Sequence, residues 1–161
     1  MYDVVILTDH RYTGQCYEDQ YSQNILDEDN FVKQALEKVG FSVWRTNWDN
    51  PDFDWTQTRS ILFRTTWDYF DRFDEFVAWL ESVSTKTQLI NSAETIRWNM
   101  DKHYLADLQK EGVAIVPTCF IETGDKRTLL ECVEQTGWER VILKPAVSGA
   151  ARHTYKINSE N

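Results

Sequence analysis

Asp3-Val4-Val5-Ile6-Leu7-Thr8 decides how this chain folds. Four consecutive aliphatic side chains leave no polar face, so the segment reads as a buried strand of the kind found in parallel sheets. Working outward, strand-length apolar segments alternate with helical stripes. A polar loop comes first, and then Phe31, Val32, Ala35, Leu36 and Val39 line one face of a helix expected over 27–39, which Gly40 stops. Phe41-Ser42-Val43-Trp44 begins a second strand, Asn50-Pro51 marks a turn, and Ser60-Ile61-Leu62-Phe63 is a third strand. Phe73, Phe76, Val77, Leu80 and Val83 form the stripe of the next helix, ahead of a short fourth strand, Gln88-Leu89-Ile90. Strands separated by helices of this length imply βαβ crossovers and a parallel sheet, hence an α/β fold.

Organisation changes near Asn91. Ser92 is placed to cap a short helix through Met100, and Asp101 another that runs to Lys110 and ends at Gly112. A strand-like stretch over 113–121 follows, then the turn Thr123-Gly124-Asp125 and a helix with Leu129, Leu130 and Val133 stopped by Gly137. The segment closes with a strand over 141–144, a loop, and a strand over 154–157. These readings divide the chain into a sheet-and-helix domain, 1–92, and a smaller α+β lobe, 93–161.

The chain is long enough, at 161 residues, to bury roughly 70% of its unfolded surface without disulfides or metals. Its 17 Lys and Arg face 26 Asp and Glu for a net charge of −9, with no basic run. That balance argues against generic binding to nucleic acid or anionic membrane. No apolar stretch is long enough to span a bilayer and no leader precedes the first strand, so cytoplasmic residence is the default expectation. Cys16, Cys119 and Cys132 lack metal or redox spacing and read as free thiols, with Cys119 and Cys132 expected in the core. No GxGxxG follows the first strand, no GxxxxGK[ST] is present, and strand three ends in Phe63-Arg64 rather than a phosphoacceptor aspartate. No nucleophile elbow or zinc-binding helix occurs, and His10, His103 and His153 lack ligand spacing.

Two lysines carry the chemistry. Lys144 closes the apolar strand Val141-Ile142-Leu143 and precedes Pro145 and the small-residue loop Ser148-Gly149-Ala150-Ala151-Arg152. A cation projecting from a strand end is firmly held, and backbone N–H groups with little bulk around them can approach an anion closely. The alternative is a lysine reaching from an edge strand into water. Lys102, in Asn99-Met100-Asp101-Lys102, falls in a first helical turn, where the helix dipole disfavours a cation; a residue that breaks a local rule is a candidate for function. Its alternative is an exposed lysine paired with Asp101 or Asp107.

The order Met100-Asp101-Lys102, then Gly112-Val113 with Val116-Pro117-Thr118, then Val141-Ile142-Leu143-Lys144-Pro145 resembles the ATP-grasp superfamily, whose members join a carboxylate to an amine using ATP. Arg64 to Tyr69 and Ile96-Arg97-Trp98-Asn99 extend the likeness toward the branch near glutathione synthetase and the cyclising ligase of cycloserine biosynthesis. The resemblance implies a Rossmann-like pre-ATP-grasp substrate domain followed by the first ATP-grasp lobe. It also implies ATP contacts from Lys102, Lys144, Ser148, Gly149, Ala150 and Arg152, with no catalytic side chain assigned. Two departures stand out: the loop carries one glycine, Gly149, where relatives have several, and Arg152 or His153 is expected to share the grip on phosphate. The sequence also ends soon after the loop, where relatives continue into a second lobe that supplies magnesium ligands and most of the adenine pocket. Glu160 alone cannot hold Mg²⁺, so no metal site is assigned, and the chain by itself is expected to be a catalytically silent fragment.

The first domain is expected to face a small amino-acid-like or peptide-like substrate. In open α/β sheets ligands sit beyond the carboxyl ends of the strands, where the loops with Asp9-His10-Arg11-Tyr12 and Arg64-Thr65-Thr66-Trp67-Asp68-Tyr69 leave. Arg64 would clamp a carboxylate, with Trp67 and Tyr69 as walls and Asp9 and Asp68 beside them. Equally, Arg64 would pair with Asp68 while Asp68 caps the following helix. The seven tryptophans read as core and rim residues rather than a sugar site. A homodimer is left open, and a non-catalytic α/β interaction module is the competing reading of the whole chain.

Overall fold

The computed structural model describes residues 1–158. The chain divides into two compact units, Met1–Ile96 and Arg97–Asn161.

In the first unit β1 (Tyr2–Thr8), β2 (Val43–Asn47), β3 (Thr58–Thr65) and β4 (Gln88–Ile90) form one parallel sheet in the order β2-β1-β3-β4. β1 is central, and Val5, Ile6, Leu7 and Thr8 have no exposed surface. That is why its sequence shows no alternation: both faces are covered. On one face Val32 and Leu36 of helix α1 (Gln20–Lys38) pack against Val4, Ile6 and Val43. The other face meets α2 (Phe73–Ser84), whose Phe76, Leu80 and Val83 are buried and whose Phe76 and Trp79 join an aromatic cluster. Trp48 lies 5.3 Å from Phe76, and Phe63 6.0 Å from Trp79.

Helix α1 starts seven residues earlier than the apolar stripe predicts. Asp19 caps it by accepting from the Ser22 amide at 2.8 Å, and the pairs Gln20–Asn24 and Gln23–Asp27, each 2.7 Å, hold the polar first turns. Its buried face is Ile25, Leu26, Asp29, Val32 and Leu36, whereas Phe31 and Val39 are exposed. The expected stripe was therefore partly out of phase, and a carboxylate, Asp29, sits within the inward face.

The second unit contains α4 (Tyr104–Lys110), α5 (Leu129–Thr136) and the antiparallel hairpin β5 (Arg140–Leu143) with β6 (Tyr155–Asn158). α3 (Ala93–Asn99), with Thr95 N–H bonded to Ser92 Oγ at 3.2 Å, runs across the division. Thr128 and Glu131 close a capping box on α5, and Gly137 ends it at φ 69°. Residues 113–121 do not form the expected strand, because no strand of the described residues pairs with them; Val116 is 81% exposed. Cys119 is correspondingly exposed rather than core, while Cys132 is buried as expected. Leu129 and Leu130 are also exposed, so α5 buries less of its stripe than its sequence suggests. Among the described residues no helix is long and apolar enough to cross a membrane.

Candidate functional site

The carboxyl end of the sheet is built around buried carboxylates. Thr8 and Thr65 hydroxyls meet at 2.6 Å and tie the ends of β1 and β3 together. β3 then carries one extra residue: Leu7 faces Phe63 and Thr8 faces Thr65, so Arg64 occupies a bulge. Bulges re-aim side chains at such rims. Here Arg64 Nε donates to Asp29 Oδ1 at 3.2 Å and Nη2 to Glu28 Oε2 at 3.3 Å, while Nη1 has no hydrogen-bond partner among the described residues. Arg45 Nε, from β2, takes the other oxygen of Asp29 at 2.7 Å; its Nη2 is buried without a partner. The Arg64–Asp68 pairing considered above is thus replaced by Arg64–Asp29–Arg45.

Asp68 has other partners. Trp48 Nε1 donates to its Oδ1 at 2.8 Å, and its Oδ2 lies 3.4 Å from His10 Nδ1 and 3.7 Å from Arg72 Nη1. It does not cap α2, which begins at Phe73 with no side-chain cap. Asp9 is fully buried and accepts from Arg11 through its backbone amide, Nε and Nη2, so it shapes the 3-10 turn at His10–Tyr12. Trp67 is exposed at the rim, with Tyr12 at 6.1 Å and Tyr21 at 6.5 Å. Tyr69 leans the other way, 5.5 Å from Phe76.

In the second unit the Asp101-Lys102-His103 turn precedes α4. Lys102 donates from its amide to the Ala146 carbonyl at 3.0 Å, and from Nζ to the carbonyls of Ala146 at 3.1 Å and Ser148 at 3.0 Å. Neither expected partner, Asp101 nor Asp107, takes its ammonium. Burial, and after it the charge of Lys144, lowers the Lys102 ammonium below its ordinary value, with Asp101 opposing. Lys144 follows β5, is exposed, and makes no hydrogen bond or ion pair with a described residue.

The loop between β5 and β6 is held in a costly shape. Ala150, Ala151 and His153 take left-handed φ of 50°, 57° and 50°, a region that costs non-glycine residues roughly 1–2 kcal/mol each. Ser148 Oγ donates to the Arg152 carbonyl at 3.1 Å, and the Arg152 amide to the Gly149 carbonyl at 3.0 Å. The amides of Ser148, Gly149 and Ala150 have no hydrogen-bond partner among the described residues. Adjacent free amides beside an unpaired lysine suit an anion. Arg152 carries interactions of its own. Among the described residues no three His, Cys, Asp or Glu side chains are grouped to hold a metal ion, and Glu160 lies outside them.

Sequence reasoning singled out Arg64, Lys102, Lys144 and the loop, and did not single out Asp29 or Arg45. The available signal was helical phase: Ile25, Asp29, Val32 and Leu36 recur at four, three and four, which puts Asp29 on the inward face.

An open parallel α/β unit with a charged and aromatic rim at its strand ends, followed by a lysine-bearing loop unit, defines the class. Residues 4–91 match the family model described as D-cycloserine synthetase DcsG, N-terminal domain, and the chain belongs to that family. It is 36% identical over 91 residues to the cycloserine biosynthesis protein DcsG of Streptomyces lavendulae, a match covering 56% of this chain and 30% of that protein. The crystal structure of D-cycloserine synthetase DcsG superposes with a TM-score of 0.80 at 25% identity, covering 96% of this chain and 50% of that one. The chain thus spans about half of the crystallised relative, and its match to the curated one spans about a third of that protein.

Proposed function

We propose that these residues are the substrate- and phosphate-holding part of an ATP-dependent carboxylate–amine ligase of the ATP-grasp kind, acting on a small amino-acid-like substrate. The observation that carries the reading is the Lys102–loop–Lys144 arrangement. One ammonium is locked onto the loop carbonyls, a second stands free beside the loop, and three neighbouring amides lack partners. A triphosphate would meet Lys144 and the amides of Ser148, Gly149 and Ala150, while Lys102 keeps that loop in shape. ATP supplies the phosphoryl group that activates the substrate carboxylate as an acyl phosphate, and an amine then displaces phosphate.

In the first unit the bulged Arg64 is proposed to hold the substrate carboxylate, with Trp67 and Tyr12 beside it. Asp9 and Asp68 support the rim instead of touching the ligand, because both are buried: Asp9 accepts from Arg11 and Asp68 Oδ1 from Trp48, while Asp68 Oδ2, without a hydrogen bond of its own, lies beside His10 and Arg72. Calorimetric titration of ATP into the wild-type chain and into Lys144→Ala tests the phosphate site. Lysine-dependent heat is expected; equal binding by the two proteins would sink the proposal.

A further inference from the structure

His103 stands between two carboxylates. Its Nδ1 is 2.6 Å from Asp101 Oδ1, and its Nε2 is 3.0 Å from Glu122 Oε1. The ring stacks on Phe120 with centroids 4.2 Å apart and planes 21° from parallel. A neutral imidazole has one N–H and can serve one of these acceptors, turning a lone pair toward the other; the imidazolium serves both. Asp101 also accepts from the His103 amide at 2.9 Å, which fixes the turn on one side of the ring.

The two carboxylates belong to different segments. Asp101 lies in the turn that carries Lys102, and Glu122 follows the 113–121 stretch, which has no strand partner. Without ladder hydrogen bonds, the stack on Phe120 and the His103–Glu122 contact attach that stretch to the lysine turn. Between Asp101 and His103 sits Lys102, whose amide and ammonium grip the loop after β5.

We propose that His103 is a positioning residue of the phosphate site: as an imidazolium it clips Glu122 to the Asp101 turn, holds Lys102 against the 145–153 loop, and so makes nucleotide affinity depend on its proton. The inference rests on the ATP reading above. Asp101 and Glu122 face the ring directly, Asp107 of α4 feels its charge, and Lys102 is the cation beside it. Three carboxylates against one ammonium favour the charged ring. The Asp101 contact first, and the Glu122 contact second, raise His103 above its ordinary value of 6.5. A group raised in this way contributes fully below its ordinary value, and that contribution is lost as pH rises through the folded one. The clip therefore opens as pH rises through a midpoint above the ordinary 6.5.

The test is ATP titration of the full chain, wild type and His103→Gln, at about pH 6 and about pH 8.5, either side of an imidazole's range. ATP's own terminal phosphate titrates nearby, so the two proteins are compared at each pH. Wild type is expected to bind ATP roughly tenfold more tightly than His103→Gln at the lower pH, and the two are expected to converge at the higher. A role in packing alone would leave the gap unchanged with pH. Proton NMR of the His103 ring in the wild-type chain should give a midpoint above 6.5, moving down in Glu122→Gln. Parallel ATP profiles, or a wild-type midpoint at or below 6.5, would overturn the clip while leaving the phosphate site standing. Absence of ATP binding by either protein at both pH values would overturn the ATP reading, and the clip with it.

Discussion

Arg45 Nε donates to Asp29 Oδ2 at 2.7 Å, with the aspartate fully buried and the arginine side chain 10% exposed. The pair joins β2 to α1 inside the covered face of the sheet. Removing one charge leaves the other buried and uncompensated, which typically costs about 3–5 kcal/mol. Asp29→Asn is therefore expected to remove a large share of the roughly 5–15 kcal/mol available to a domain, read from urea denaturation. Arg45→Met with Asp29→Leu should recover much of that loss, because apolar replacement of a whole buried pair is commonly neutral or better. Arg64, which also donates to Asp29, would then lose its Asp29 contact and keep its Glu28 one.

Lys102 and Lys144 are expected to fail differently. Lys144→Ala should weaken ATP binding by roughly 10- to 150-fold, the loss of a charge-assisted contact of about 1.5–3 kcal/mol, without changing the melting temperature. Lys102→Ala removes two bonds to loop carbonyls. It should speed amide exchange across residues 145–153 as well as weaken binding. Unchanged exchange in Lys102→Ala would remove the anchoring role.

Ala151 holds φ 57°, where glycine is at no steric disadvantage. Ala151→Gly is expected to raise stability by up to about 1 kcal/mol, seen as an upward shift of the thermal midpoint. A neutral or negative shift would mean that the alanine methyl makes a compensating contact.

Asp125 should report on acid. Arg127 donates from its side chain and backbone to this carboxylate and brings its pKa from 3.8 down to about 2. The folded state favours the ionised form, so its contribution is complete above 3.8 and is lost as pH falls through about 2. The Arg127 amide resonance should titrate with a midpoint near that lower value. A midpoint near 3.8 would show that the pairing does not form in solution.

Much of the fold was legible because it rests on local rules. β4 lies where Gln88-Leu89-Ile90 predicts it, α2 spans its Phe73-to-Val83 stripe, and Gly112 and Gly137 follow their helices at positive φ. What failed was non-local. Residues 113–121 are apolar enough for a strand, but a strand needs a neighbour's hydrogen bonds, and composition does not reveal whether one is present. Likewise α1 begins at Gln20 because side-chain pairs, not apolar residues, hold its first turns.

By itself the sequence determined the parallel α/β sheet, through the uninterrupted burial of Val4 to Leu7, and it placed two lysines at the start and end of a loop-bearing unit. Only the tertiary structure decided what those charges meet. Arg64 turns to Asp29 because a bulge re-aims it, Lys102 takes carbonyls 44 and 46 residues away, and His103 lies between carboxylates from separate segments. Hydrophobic periodicity is a property of neighbours along the chain, whereas the partner of a charge is set by which distant segments folding brings within hydrogen-bond reach.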